Sequence, residues 1–218
     1  MVLFVGQLPV ARAQLEMHLS TDRERYLKYE SVNMTLAVRN YTGNDLTFGA
    51  SPGRSSNSYL TLLLESSRQL GQRSIDAGNL IKNLTLGAGE TKRLTINLNE
   101  LARLQTPATY SVCAELSHPM LRQAFRTNDV DFEVREGHVV WQRTLGVPDA
   151  YRRDGDVVPE RIASIILLRE KTSQIYCFLI EDEDKVYCVT RLGKLIFGAE
   201  PECGIDAVSN VHVLLRVK

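Results

Sequence analysis

The 218-residue sequence has no apolar stretch near the roughly 20 residues that a helical membrane span needs. Its charges favour neither sign, with 26 Lys and Arg against 26 Asp and Glu. The balance holds in parts as well as in the whole: residues 14–138 carry 14 basic and 14 acidic side chains, and residues 139–218 carry 11 and 12. A basic face offset by an acidic one is thereby excluded, and with it the electrostatic term that dominates affinity for nucleic acid. Chemical templates are missing too. There is no Cys-x2-Cys metal pair and no G-x-S-x-G nucleophile elbow, and the Ser-rich stretch 51–58 has no histidine close in sequence. Gly87-Ala-Gly89 lacks the Lys-Ser/Thr of a phosphate loop and is followed by Glu90, which repels phosphate. These absences leave no catalytic residue, metal ligand or cofactor to assign. With 44% hydrophobic and 24% charged residues, the chain still has the material for one large packed domain or two small ones.

The first thirteen residues stand apart. Val2–Val10 is a short apolar run, and Ala11-Arg12-Ala13 has the small-x-small pattern that a signal peptidase accepts before Gln14. Residues 1–13 therefore read as a truncated signal-peptide remnant, which implies export to the periplasm, the envelope or the exterior.

From Leu15 to Val134 the dominant period is two. Leu15/Met17/Leu19, Val32/Met34/Leu36/Val38, Leu60/Leu62/Leu64, Leu94/Ile96/Leu98, Tyr110/Val112/Ala114/Leu116 and Val130/Phe132/Val134 alternate with polar or small residues, the signature of strands with one face on a core. Turn chemistry separates them at 40–45, 51–58, 87–90 and 127–129. One helical hint occurs, at Asn99–Gln105. Many short strands without intervening amphipathic helices predict an all-β chain, a sandwich over residues 14–138.

The sequence of Glu30–Asn40, the Leu86-Gly-Ala-Gly-Glu90 turn, the strand Thr109–Leu116 and the closing Asn128–Val134 resembles bacterial immunoglobulin-like sandwich domains. Over residues 14–136 it is similar to the intracellular proteinase inhibitor family and to sandwich modules on envelope proteins. The resemblance implies an immunoglobulin-like β-sandwich with Tyr110 at the corner that opens the penultimate strand. Cys113 is the one cysteine in this half, which excludes an antibody-type bridge within it.

Residues 139–218 predict a small antiparallel β-sheet unit, with strands at 139–145, 161–168, 174–180, 185–191 and 211–217. Apolar runs at Ile165–Leu168 and Phe178–Ile180 suit a sheet covered on both faces. The Gln174–Gly193 hairpin and the Asp206…Asn210-x-His212 spacing resemble a β-propeller blade, and roughly four or more blades are needed to close a ring. A hairpin centred between Asp182 and Glu183 would set Cys177 opposite Cys188, so these two are a candidate cross-strand disulfide or a pair of buried thiols. His212 near Cys203 reads as ordinary surface. The acidic stretches Asp154-Gly-Asp156 and Glu181–Asp184 read as solvated turns, and the Asn-x-Ser/Thr triplets at Asn33, Asn40 and Asn83 as chance.

The expected function is a non-catalytic, exported or envelope-associated module for protein interaction or structure. Its partner would be another protein or an envelope component, with self-association through exposed sheet edges and no nucleic acid, membrane span or cofactor. The expected contacts lie on loops, at Pro52 and Arg54 and at Tyr151, Arg152 and Arg153. A proteinase inhibitor is the first alternative. A hydrolase with its site between the two β units is the second.

Overall fold

A computed structural model describes residues 14–49, 58–148, 160–197 and 200–216. The signal-like residues 1–13 and the expected contact residues Pro52, Arg54, Tyr151, Arg152 and Arg153 lie outside them. The chain is all-β. Its strands are β1 (Leu15–Thr21), β2 (Arg25–Leu27), β3 (Asn33–Asn40), β4 (Leu46–Thr47), β5 (Tyr59–Ser66), β6 (Gln69–Asp76), β7 (Thr85–Leu86), β8 (Thr91–Asn97) and β9 (Ala108–Ser117). There follow β10 (Phe125–Arg126), β11 (Val130–Arg135), β12 (His138–Gly146), β13 (Glu160–Arg169), β14 (Gln174–Glu181), β15 (Val186–Lys194), β16 (Glu202–Ile205) and β17 (Val211–Leu214). No helix among the described residues is long and apolar enough to cross a membrane.

The described residues divide into two compact units. The first holds residues up to Glu24, Val32–Arg103 and Thr109–Phe132, and the second holds Arg25–Ser31, Leu104–Ala108 and the residues from Glu133 onward. In the first unit one antiparallel sheet runs β1-β3-β8 and another runs β11-β9-β5-β6, with β10 added to β9. The period-two pattern translates directly into burial: Met34, Leu36 and Val38 on β3 and Leu60, Leu62 and Leu64 on β5 are buried while their neighbours are not. Each fully buried side chain of this kind contributes about 2 kcal/mol. Tyr110 stacks on Phe132 with ring centroids 5.4 Å apart and hydrogen-bonds the Ser66 side chain.

The helical hint is realised as one turn, α1 (Leu98–Leu101), a residue earlier than expected and shorter. Asn97 caps it by accepting from Asn99 N–H, while the Asn99 side chain accepts from Val32 N–H at 2.7 Å. Ala102 then turns extended, and both Ala102 and Leu104 are buried. Burial of that spacing takes precedence over helix propagation, which is weak in so short a segment.

Asn40 organises one end of this unit. It is fully buried, and its Nδ2 lies 2.7, 3.0 and 3.2 Å from the carbonyls of Asn44, Leu86 and Gly87, while its Oδ1 accepts from Thr42 N–H and Thr42 Oγ1–H. Its backbone pairs with Glu90 and Gly89. One amide thereby ties the turn after β3 to the β7–β8 connection.

In the second unit, β12-β13-β14-β15 form an antiparallel meander. Strand β13 is buried on both faces, with Ala163 and Ile165 on one and Ser164, Ile166 and Leu168 on the other. Ile166 and Leu168 pack with Leu27, Ile175, Cys177 and Leu179 as a core cluster. Leu27 comes from β2, which pairs in parallel with Glu133–Arg135. Gly137 (φ +75°) joins β11 to β12 where a Cβ would lie 2.4 Å from Ile166 Cγ2 and 3.3 Å from Leu27 Cδ1, so only glycine fits both the conformation and the space.

Replacing Asn40 by Ala removes the side-chain donor to the buried Leu86 carbonyl and to the part-buried Asn44 and Gly87 carbonyls, and the acceptor for Thr42 N–H. The expected loss is about 2 to 3 kcal/mol of stability, read as a lower urea midpoint, with Asn33→Ala on the exposed side of the same strand as the near-neutral control.

Candidate functional site

Where an apolar alternation is broken by a charge, the charge demands an explanation. On β15, Val189 and Arg191 share a face, and Arg191 stands opposite Cys177 beside the core cluster. Its Nε donates to Glu30 Oε1 at 2.6 Å, Nη1 to Glu170 Oε1 at 2.6 Å, and Nη2 to Glu30 Oε2 and to the Arg25 carbonyl at 3.1 and 2.7 Å. The side chains of Arg191 and Glu30 are only 16% and 9% exposed. Burial is the largest influence on the guanidinium and opposes its charge, but the hydrogen bond and charge of Glu30, followed by the hydrogen bond of Glu170, outweigh it and raise its pKa. Glu30 is held in turn by Leu27 N–H, in a tight turn where Tyr29 takes a positive φ of 71°.

The network continues outward. Arg25 donates to Glu133 at 2.8 Å and to the Arg169 carbonyl, and Arg135 donates to the same Glu133 carboxylate at 2.7 Å. Arg135, then Arg25, hold the Glu133 carboxyl below the usual carboxylate range. Three arginines and three glutamates thus pair with each other and with backbone. Such a cluster is a fastening, because each of its carboxylates and guanidiniums is engaged by another member or by backbone.

Around the turn between β13 and β14, Arg169, Lys171, Ser173, Lys194 and Phe197 border a depression of about 340 Å³. Its carboxylate, Glu170, is engaged by Arg191 and by Ser173 Oγ–H at 2.9 Å. The lining offers cations and an aromatic lip, and its hydroxyl–carboxylate contact, Ser173 on Glu170, falls on a carboxylate already paired with Arg191.

The candidate pair Cys177 and Cys188 is not brought together. Asp182 caps the hairpin turn, with Oδ1 accepting from Asp184 and Lys185 N–H, and this centres the turn one residue later than expected. An irregularity between Ile180 and Glu181 in the pairing with β15 adds one further step, so Cys177 faces Arg191 and Cys188 faces Ile180. An odd shift sends two side chains to opposite faces of a sheet. None of the four cysteines is in a disulfide, and burial raises the Cys113 and Cys203 thiols above their ordinary range. In the acidic tip, Asp182 is also bound by Tyr187 Oη–H, which lowers the Asp182 pKa first, with the turn amides adding to it. That carboxylate is spent as a turn cap. No group of three or more potential metal-ligating side chains occurs among the described residues, and Asp154 and Asp156 lie outside them.

The Asp206…Asn210-x-His212 spacing does have a local structural meaning. Asp206 accepts from Val208 N–H, Asn210 N–H, Asn210 Nδ2–H and His212 Nε2 at 2.8 to 3.2 Å, closing the β16–β17 hairpin. These bonds, those of Asn210 foremost, depress the Asp206 pKa to about 2. Strands β16 and β17 pair only with each other among the described residues, and Ile205, Val208 and Leu214 are exposed by 40%, 61% and 68%. On β12, Val139 and Val140 are exposed as well. Sequence reading passed over both surfaces because exposure is decided by which strands lie alongside, which periodicity does not encode.

No family model and no curated protein matches the sequence. Among solved structures, the chain is similar to an alkylpurine DNA glycosylase of Pseudomonas fluorescens bound to DNA with an abasic-site analogue, at TM-score 0.39 and 14% identity over 57% of this chain and 31% of that one. It is similar also to the sporulation control protein of Bacillus subtilis, at TM-score 0.36 and 12% identity over 83% and 91% of the two chains. A third is a family 123 glycoside hydrolase of Clostridium perfringens, at TM-score 0.34 and 10% identity over 56% and 27%. The chain therefore spans about a third of the first of these, and likenesses at these TM-scores assign no activity.

Two outcomes are expected. Arg191→Met leaves Glu30 and Glu170 in a largely buried place without their cation and costs about 3 kcal/mol or more, measured by urea denaturation. Asp206, whose folded pKa is lowered, contributes fully above the ordinary carboxylate range, and its contribution disappears as pH falls through about 2. Slowed amide exchange at Val208 and Asn210 should persist at pH 4 and be lost in Asp206→Ala at the same pH.

Proposed function

We propose that this chain is a non-catalytic interaction module of the exported or envelope class, built on an immunoglobulin-like sandwich. The observation that carries the reading is the β16–β17 hairpin. A two-stranded sheet is marginal alone, and this one shows Ile205, Val208 and Leu214 to solvent while its polar groups are bonded within its own turn. Covering those side chains with the apolar surface of a partner protein returns about 25 cal/mol for each Å² removed from water. The conspicuous charged clusters support the same reading: those of Arg191, Glu133, Asp182 and Asp206 are engaged in internal bonds, and structural fastening needs no substrate. Export rests on the Ala11-Arg12-Ala13 pattern ahead of Gln14.

A photo-crosslinking residue at position 208, activated in intact cells of the native source, is expected to give a covalent adduct with a second polypeptide, recovered in the envelope fraction. The same residue at the exposed Lys82 should give none. Absence of an adduct at 208, or equal labelling at both sites, would overturn the reading, and an adduct confined to the cytosolic fraction would overturn export.

A further inference from the structure

Strand β12 is the outermost strand of the four-stranded meander, and seven of its nine residues are exposed. Folded proteins usually blunt such an edge with several charges, a proline or a bulge that twists it away. Here the irregularity lies near the start, between Val139 and Trp141, and the register onto β13 is regular from Trp141 to Gly146. That regular stretch, Trp-Gln-Arg-Thr-Leu-Gly, contains no proline and a single charge, Arg143. The exposed edge of the first unit, β6, differs: it carries Arg73 and Asp76 and is interrupted by Gly71 at φ +91°.

We infer that β12 pairs with β12 of a second copy of this chain, antiparallel about a two-fold axis at Gln142. This surface is separate from the β16–β17 hairpin. The argument is self-complementarity, the condition for a two-fold interface. Trp141 and Arg143 stand opposite Ile165 and Ala163 on β13 and so project from the same face of the sheet. In the Gln142-centred register, Trp141 of each copy meets Arg143 of the other, twice across the axis. A guanidinium over an indole is the most favourable of the cation–π pairs, and directly opposed residues are the unit of cross-strand stabilisation. Neighbouring registers are worse. Centring on Arg143 sets two guanidiniums face to face, centring on Trp141 sends Arg143 onto the irregular Val139, and a one-residue slip places the two tryptophans on opposite faces. Two four-stranded meanders joined in this way make one eight-stranded sheet.

The test is sedimentation of the full chain over a concentration series, with far-UV circular dichroism to verify folding. Wild type is expected to run as a dimer that dissociates on dilution. Trp141→Lys opposes two cations and should raise the dissociation constant by about tenfold or more. The double variant Trp141→Lys with Arg143→Glu restores opposite charges in the same register and should recover most of the loss. A wild type that sediments as a monomer at every accessible concentration overturns the inference. So does a dimer indifferent to Trp141→Lys, or a double variant no better than the single, because either outcome places the contact elsewhere. Since crosslinking at Val208 does not involve β12, the two surfaces succeed or fail separately.

Discussion

Arg191 is joined to one glutamate 161 residues away in the chain and to another 21 residues away, and the second unit depends on that triad. The guanidinium gives up water beside an apolar cluster. Only two carboxylates with good geometry, plus the Arg25 carbonyl, make such a position tolerable for a cation. In exchange the triad fixes three pieces of backbone that share no regular pairing: the turn after β2, the connection between β13 and β14, and the inward face of β15. Leu27 enters the core because Glu30 holds its N–H from one side and Arg191 holds Glu30 from the other.

The same economy recurs at smaller scale. Asn40, Asp182 and Asp206 each gather several hydrogen bonds around one side chain and determine where a turn falls. Turn position is not a local detail in a β protein, since it sets which side chains face each other along both strands. The Asp182 cap, with the irregularity beyond it, separates Cys177 from Cys188. The Asp206 cap leaves a hairpin whose polar groups are satisfied and whose apolar ones are not.

Much of this was legible in the residues, and the division follows physical range. The strands around Met34, Leu62, Val112 and Phe132 could be read because one buried face imposes a period of two on the sequence itself. The meander from β12 to β15 was readable on different grounds, the continuous apolar runs of strands covered on both faces. Strand β6 was not, since Gln69–Ser74 is exposed and bears no alternation. Strand β2 was missed because three residues are too few for any period. The Arg191 triad leaves one trace, a charge where alternation with Val189 requires an apolar residue, and nothing local identifies its partners. The cysteine pairing failed by an odd number of residues, which reverses the face, because an aspartate cap competes with neighbouring acidic residues for the centre of a turn. The overall immunoglobulin-like resemblance drew on a pattern of strands and turns, and such a pattern says little about what the surface does.

The placement of Arg25–Ser31 has a consequence for how the protein can be divided. This short segment lies between two stretches of the first unit, yet its Leu27 and Glu30 complete the core and the ion triad of the second. No single cut in the chain yields two intact pieces, since a break near Gly137 leaves the C-terminal fragment without them. During synthesis the segment emerges long before the strands that receive it, and the loop-closure entropy of more than a hundred residues must be met before those contacts form. The second unit draws twelve residues, Arg25–Ser31 and Leu104–Ala108, from between stretches of the first, so the chain cannot be divided into the two units at one point.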